Sequence, residues 1–287
     1  MSDDRPNTTD YVHPEENNLR NIHKAMEYNS IGQPILRTTG SNTEWAINIS
    51  NGSTPGVTYV EKFGMNVDVD ANKETVWDGG GIYTYVDSAT HLSATSSSSD
   101  DAAGGTGART VNIQGLDASY NLINETITLG GQDTTTLSFL RVFRAQVTTV
   151  GSEGINVGTI SILADDSSTV LAQIGLDGTG SNAAGRGQTF MSIYTIPAGK
   201  TGYLTQWTVG AGKQNTDAVA FLMTRVFDPS DGAWNSKDVI TVSATTYAKD
   251  YKIPLMFPEK SDIEVRAYST TNNAIVSSTF NILLIDN

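Results

Sequence analysis

The stretch that constrains this chain most is 106–130, where apolar and polar residues alternate with period two across two short runs. In 108–114, Arg109, Val111 and Ile113 share one face, and Thr110, Asn112 and Gln114 share the other. In 125–129, Ile127 and Leu129 oppose Thr126 and Thr128. A helix would scatter such a pattern around its axis, whereas a strand half-buried in an antiparallel sheet keeps each set on its own side. The joining residues 115–121 supply the Gly, Asp, Ser and Asn that turns use. The stretch reads as scaffold, with no catalytic group in it.

Similar runs recur along the chain: 57–69, 74–77, 82–86, 92–97, 137–148, 158–163, 170–174, 189–196, 201–209, 219–226, 239–243, 263–268 and 277–285. Gly, Asn, Asp and Pro punctuate them, and after residue 56 no helical period appears, so strands do not alternate with helices as a parallel α/β sheet requires. The expected fold is all-β: an antiparallel β-sandwich, jelly-roll-like body carrying an extended N-terminal arm. Pro197-Ala198-Gly199-Lys200 is a tight turn, with Pro setting φ and Gly taking the left-handed position. The small, acidic segment 96–107 is an exposed loop.

Residues 1–55 are different in kind, rich in Asn, Thr, Ser and Pro with isolated apolar groups. Residues 15–28 are expected to form a short helix, with Leu19, Ile22, His23 and Met26 near one face. Residues 31–37 and 44–49 are expected to be strands. The division is therefore an arm at 1–55 and a body at 56–287, with a further break in the body near 175–187. Such an arm more often docks on a neighbour than folds alone.

Charge and composition narrow the function. The net charge of −13 disfavours nucleic acid, anionic membranes and acidic substrates. There is no cysteine, so disulfides and thiolate chemistry are excluded. The acidic start is not a signal peptide, and no apolar run is long enough to span a membrane as a helix.

No motif carries chemistry. Asp68, Asp70 and Asn72 have the start of a calcium loop, but Lys73 and Gly79 stand where an EF-hand needs Gly and Glu. The acidic strand-end turn is the stronger reading. Trp77-Asp78-Gly79-Gly80-Gly81 reads as a buried Trp pinning a loop before it reads as a ligand platform. The three histidines, His13, His23 and His91, are dispersed. Asp100-Asp101 and Asp165-Asp166 lie in turn-like segments, where solvation is the default. The glycines of 178–185 open no helix and are followed by no Lys-Ser/Thr pair, so they are not a phosphate loop. The expectation is no catalytic residue, no metal and no cofactor.

Several phrases taken together carry a resemblance: 62–68 (Lys62 through Asp68), 74–80 with Trp77-Asp78-Gly79-Gly80, and 92–99 with its four serines. The run 100–117 from Asp100 to Asp117, 125–130, 196–203 and 260–266 join them. Over roughly 57–165, and more loosely beyond, the chain resembles virion structural proteins of tailed bacteriophages of the marine and cyanobacterial type. The resemblance implies a virion component made in the host cytoplasm. The expected role is a capsid decoration or cement protein that stabilises the shell from outside, with the major capsid protein as partner and a homotrimer as the oligomer. The shell anchors expected in the arm are Tyr11, Leu19, Ile22, Met26, Tyr28, Ile35 and Trp45. The rival classes are a fibre protein stacking host glycan on Trp77, Tyr83 and Tyr85, a head–tail connector, and, well behind, a depolymerase.

Overall fold

A computed structural model describes residues 26–28, 34–36, 42–131, 133–178, 184–212, 216–226 and 232–287. The chain divides into two compact units, Met1–Thr58 and Tyr59–Asn287.

The first unit holds a small antiparallel hairpin, β1 (Met26–Tyr28) with β2 (Pro34–Leu36), and one helix, α1 (Asn42–Ser50). Two expectations change here. Residues Met26–Tyr28 are a strand rather than the end of a helix, and the rest of 15–25 lies outside the described residues. Residues 44–49 are helical rather than extended. Trp45, Ile47 and Ile49 alternate as a strand would, but Glu44 sits in the first turn, where the helix dipole favours a negative charge. The last turn is closed as well, with Asn51 and Ser53 amides donating to Ile47 and Asn48 carbonyls at 3.0 and 2.8 Å. Ile47 is 54% exposed while Ile49 is 5% exposed, a helical rather than a two-fold segregation.

The second unit contains two hydrophobic cores. One lies inside a sandwich. Its four-stranded sheet has the order β17-β14-β19-β3, from β3 (Val57–Val69), β14 (Lys200–Ala211), β17 (Thr246–Phe257) and β19 (Ala274–Asp286). Its five-stranded sheet runs β13-β18-β15-β16, from β13 (Ile193–Thr195), β15 (Asp217–Val226), β16 (Asn235–Ser243) and β18 (Ser261–Ser269), and β4 (Glu74–Thr75) also pairs with β18. Trp207, Phe257, Phe280, Leu222 and Val265 fill the space between. The second core lies among two three-stranded sheets. Their orders are β10-β9-β5, from β5 (Leu92–Ser96), β9 (Ile160–Ala164) and β10 (Val170–Ile174), and β7-β6-β8, from β6 (Ala108–Leu116), β7 (Leu122–Thr128) and β8 (Arg141–Val150). Phe139, Leu92, Ile113, Ile162 and Leu171 are buried there. A short pair, β11 (Leu176–Asp177) with β12 (Ala184–Gly185), completes the strands; all named pairings are antiparallel, and the fold is an all-β arrangement consistent with a β-sandwich.

The alternation read at 108–129 is realised: Val111 pairs with Ile127 and Val147 on the inner side. Gly199 takes φ +71° in the turn between β13 and β14, as the Pro-Ala-Gly-Lys run requires. Three segments depart from expectation. Residues 82–86 form no strand: the Tyr83 amide donates to the Thr75 hydroxyl at 3.0 Å rather than to a neighbouring strand, and the Tyr83 and Tyr85 rings pack on one another. The strand β17 has no alternation to read, being an edge strand with one neighbour and largely exposed. It carries Lys249, Lys252 and Pro254, residues that edges tolerate and central strands do not. The third is the 96–107 loop, which is not a solvated tether. Asp101 within it is 2% exposed and its carboxylate accepts from Ser96 Oγ (2.6 Å) and the Ala108, Val157 and Gly158 amides (2.8, 2.9 and 2.8 Å).

Candidate functional site

The densest chemistry lies on β18. Alternation along Asp262-Ile263-Glu264-Val265-Arg266 sends Ile263 and Val265 into the sandwich core and puts Asp262, Glu264 and Arg266 on the opposite face. Both carboxylates have side chains 0% exposed. Asp262 receives a bidentate guanidinium from Arg141 (Nε 2.8 Å, Nη2 3.1 Å), Arg225 Nε at 3.0 Å and the Thr195 hydroxyl at 2.7 Å. Arg141 also donates to the Val86 and Leu140 carbonyls at 2.9 Å each. Glu264 accepts from Arg266, from Thr75 Oγ1 at 3.3 Å and from the Tyr85 hydroxyl at 3.4 Å.

Aromatic rings wrap this cluster. Trp77, Tyr83, Tyr85 and Trp234 form a chain of ring contacts with centroids 5.1, 4.8 and 5.3 Å apart. Arg225 and Arg266 lie 4.9 and 4.6 Å from the Trp234 ring, within cation–π range. Burial pushes the Glu264 carboxyl up to about 7, against the pull of Arg266. Burial also raises the Tyr83 and Tyr85 hydroxyls, with Glu264 and Asp262 adding to the effect.

Chemically this is a fastener. Arg141 begins a strand of the second core's sheet and Asp262 belongs to the sandwich, so their pair ties one core to the other. Each carboxylate is enclosed and shared among fixed donors, whereas an acid–base pair must face a substrate across a cleft. A similar lock closes the Trp77 loop. Asp78, buried, is paired with Arg186 and accepts from the Phe190 amide at 2.9 Å, and Arg186 also reaches Asp177 at 2.8 Å. Burial raises the Asp78 carboxyl to about 6, with the Phe190 amide and Arg186 opposing.

The sequence-expected groups fall as follows. Trp77 and Tyr83 are 5% and 4% exposed, and Trp77 Nε1 donates to the Gly80 carbonyl at 2.8 Å, so Trp77 pins its own loop. The glycan-stacking platform on Trp77, Tyr83 and Tyr85 is thereby corrected, since its rings face one another. Asp70 accepts from the Asn273 amide at 2.9 Å, and among the described residues no group of His, Cys, Asp or Glu could hold a metal ion. Of the arm anchors, Tyr11, Leu19 and Ile22 lie outside the described residues. Met26 and Tyr28 are on β1 and Ile35 on β2, in register with Leu36, Pro34 and Glu27 respectively. Trp45 is on α1 and half-buried. Sequence reasoning missed Arg141, Arg225, Asp262 and Glu264. The signal was Asp-Ile-Glu-Val-Arg, in which every second residue of a strand is charged between apolar neighbours.

No family model matches the chain, and no curated protein does. Among solved structures, the chain is similar to one of the infectious bursal disease virus Gx strain, with 11% identity and a TM-score of 0.20 over 80% of this chain and 72% of that one. A structure of the Gt strain gives 10% and 0.16, covering 80% of each chain. The VP2 subviral particle of the same virus gives 10% and 0.19, over 80% of this chain and 72% of that one.

Proposed function

We propose that this chain is a virion structural protein of the tailed-phage type, acting as a decoration or cement protein on the outside of the capsid. The observation that carries the reading is the use made of the interior charges. Arg141 reaches Asp262 across from the second core's sheet, while Arg225 and Arg266 hold Asp262 and Glu264 within the sandwich, so each of these buried carboxylates is spent on a fixed guanidinium. A body built this way resists deformation, which is what reinforcing a shell demands. The separate N-terminal unit supports the reading as an anchor, with Met26, Tyr28, Ile35 and Trp45 in its described elements. The phrases that resemble tailed-phage virion proteins point the same way. The charge of −13 keeps such a protein soluble and away from packaged DNA. Its partner in this role is the major capsid protein, and a symmetric homotrimer would repeat one modest contact around the shell.

Gold labelling of this protein on intact particles tests the proposal. Label spread over the head supports it; label at the tail or at one vertex overturns it in favour of a fibre or connector. Deleting residues 1–50 is expected to abolish particle binding while the body keeps its unfolding transition.

A further inference from the structure

The sheet β7-β6-β8 turns one face to the second core and the other outward. On the outward face of the middle strand stand Thr110, Asn112 and Gln114, and register places Thr128, Thr126 and Asn124 of β7 directly beside them. Thr126, Asn124, Thr148 and Thr149 are exposed. These side chains bond sideways to one another. Thr110 Oγ1 meets the Thr148 and Thr149 hydroxyls at 2.8 and 2.5 Å, and Asn112 Nδ2 donates to Thr126 Oγ1 at 3.0 Å and Asn124 Oδ1 at 3.4 Å. Gln114 Nε2 reaches Asn112 Oδ1 at 3.5 Å. The result is a grid with rows ~4.8 Å apart across strands and about 6.8 Å along them, its donors and acceptors held in place before any ligand arrives.

Charge complementarity selects the occupant. Although the chain carries −13, the three rows present only hydroxyls and carboxamides, apart from Arg144 at the Gln114 end, which donates to the Glu61 carbonyl at 3.2 Å. An ionic ligand finds no counter-charge in the centre, and the three rows hold no apolar side chain, the exposed Leu122 standing beyond them at the start of β7. A carboxamide carries a donor and an acceptor side by side; Asn112 spends its amide hydrogens on Thr126 and Asn124, so Gln114, which spends one on Asn112, is the carboxamide that matches the adjacent hydroxyls of a pyranose. Binding a neutral ligand also strips no charge of its water. Because β7 is an edge strand, a long ligand can cross the rows and run off the sheet.

We infer that the outer face of β7-β6-β8 binds neutral, hydroxyl-rich polysaccharide. The inference goes beyond a shell-stabilising role and does not depend on it, because the face belongs to the isolated chain. Each contact is weak, so the site works through many copies presented together.

The test uses the full chain coupled densely to beads and a panel of neutral glucans, mannans and galactans, with polygalacturonate as the anionic comparison. Retention of at least one neutral polymer is expected, falling at least ten-fold in the Asn112→Ala/Gln114→Ala variant. Thr126→Lys, a surface change that leaves the core alone, is expected to do the same with an unchanged circular dichroism spectrum. Thr241→Ala, on the other sheet system, is expected to retain polymer like the parent chain. No retention of any neutral polymer overturns the inference, as does preference for polygalacturonate or undiminished retention by both face variants. Particle labelling is a separate readout, so either reading can fail without the other.

Discussion

Asp100 and Asp101 are adjacent and identical in chemistry, yet replacing Asp101 by Ala is expected to be strongly destabilising and replacing Asp100 by Ala nearly neutral. The Asp101 carboxylate holds three backbone amides, of Ala108, Val157 and Gly158, and the Ser96 hydroxyl. Removing it orphans those amides, two of which belong to buried residues. Each buried, unsatisfied donor costs about 1–3 kcal/mol, partly relieved by water entering the space. The expected loss for Asp101→Ala is therefore about 3–5 kcal/mol. Asp101→Asn keeps one accepting oxygen for Ala108 and Val157, but turns an amide nitrogen toward the Gly158 N–H. Its loss is about 2 kcal/mol, as a single donor–donor clash suggests. Asp100 is exposed, and its replacement by Ala is expected to change stability by less than about 0.5 kcal/mol. Urea unfolding followed by circular dichroism measures all three. With a slope of about 3 kcal/mol/M, Asp101→Ala lowers the midpoint by at least about 1 M and Asp100→Ala leaves it in place. Equal midpoints for the two alanine variants would refute the claim that the Ser-rich loop is clamped through one carboxylate.

Further expectations concern the fastener and the Trp77 loop. Glu264 has a folded-state value above its unfolded one, so from about pH 4.5 to 7 the native protein holds a proton that the unfolded chain has released, and its contribution weakens as pH rises through that window. Burial also raises the Asp78 carboxyl, to about 6, and adds a slope of the same sign, so the Glu264 share is read as the stability difference between the parent chain and Glu264→Gln. That difference is expected to shift against the parent by about 2 kcal/mol between pH 5 and 7 in urea titrations at each pH. Arg141→Ala leaves Asp262 buried with one guanidinium fewer and is expected to cost about 3–5 kcal/mol by thermal or urea unfolding; a loss below 1 kcal/mol would sink the fastener reading. A Cβ on Gly79 would lie 2.3 Å from the Trp77 ring, so Gly79→Ala is expected to cost about 1–3 kcal/mol, whereas Gly104→Ala, with nothing within 4 Å, stays near neutral in the same assay.

Much of the body was legible in the residues. Where a strand is buried on one side and wet on the other, the solvent boundary writes itself into the sequence with period two, as at Val111, Ile113 and Ile127 against Thr110, Asn112 and Thr126. The same local logic yielded the Pro197–Gly199 turn and the full extent of the Val57–Val69 strand. It failed at β17, where an edge strand has no buried face to impose a pattern, and at 44–49, where two periods compete in six residues.

The sequence by itself determined the strand content, the placement of most strands and the polar outer face of 108–128, because these depend on neighbours along one chain segment. Tertiary structure alone decided which carboxylates are structural. Asp101 differs from Asp100, and Asp262 from any surface aspartate, only through partners 56 or 57 and 121 residues away, Val157, Gly158 and Arg141. It also decided that Trp77 and Tyr83 face inward, closing the platform that composition allowed. A hydrogen bond or ion pair between distant segments leaves no period in the sequence; it exists only once the sheets have brought those segments within 3 Å of one another.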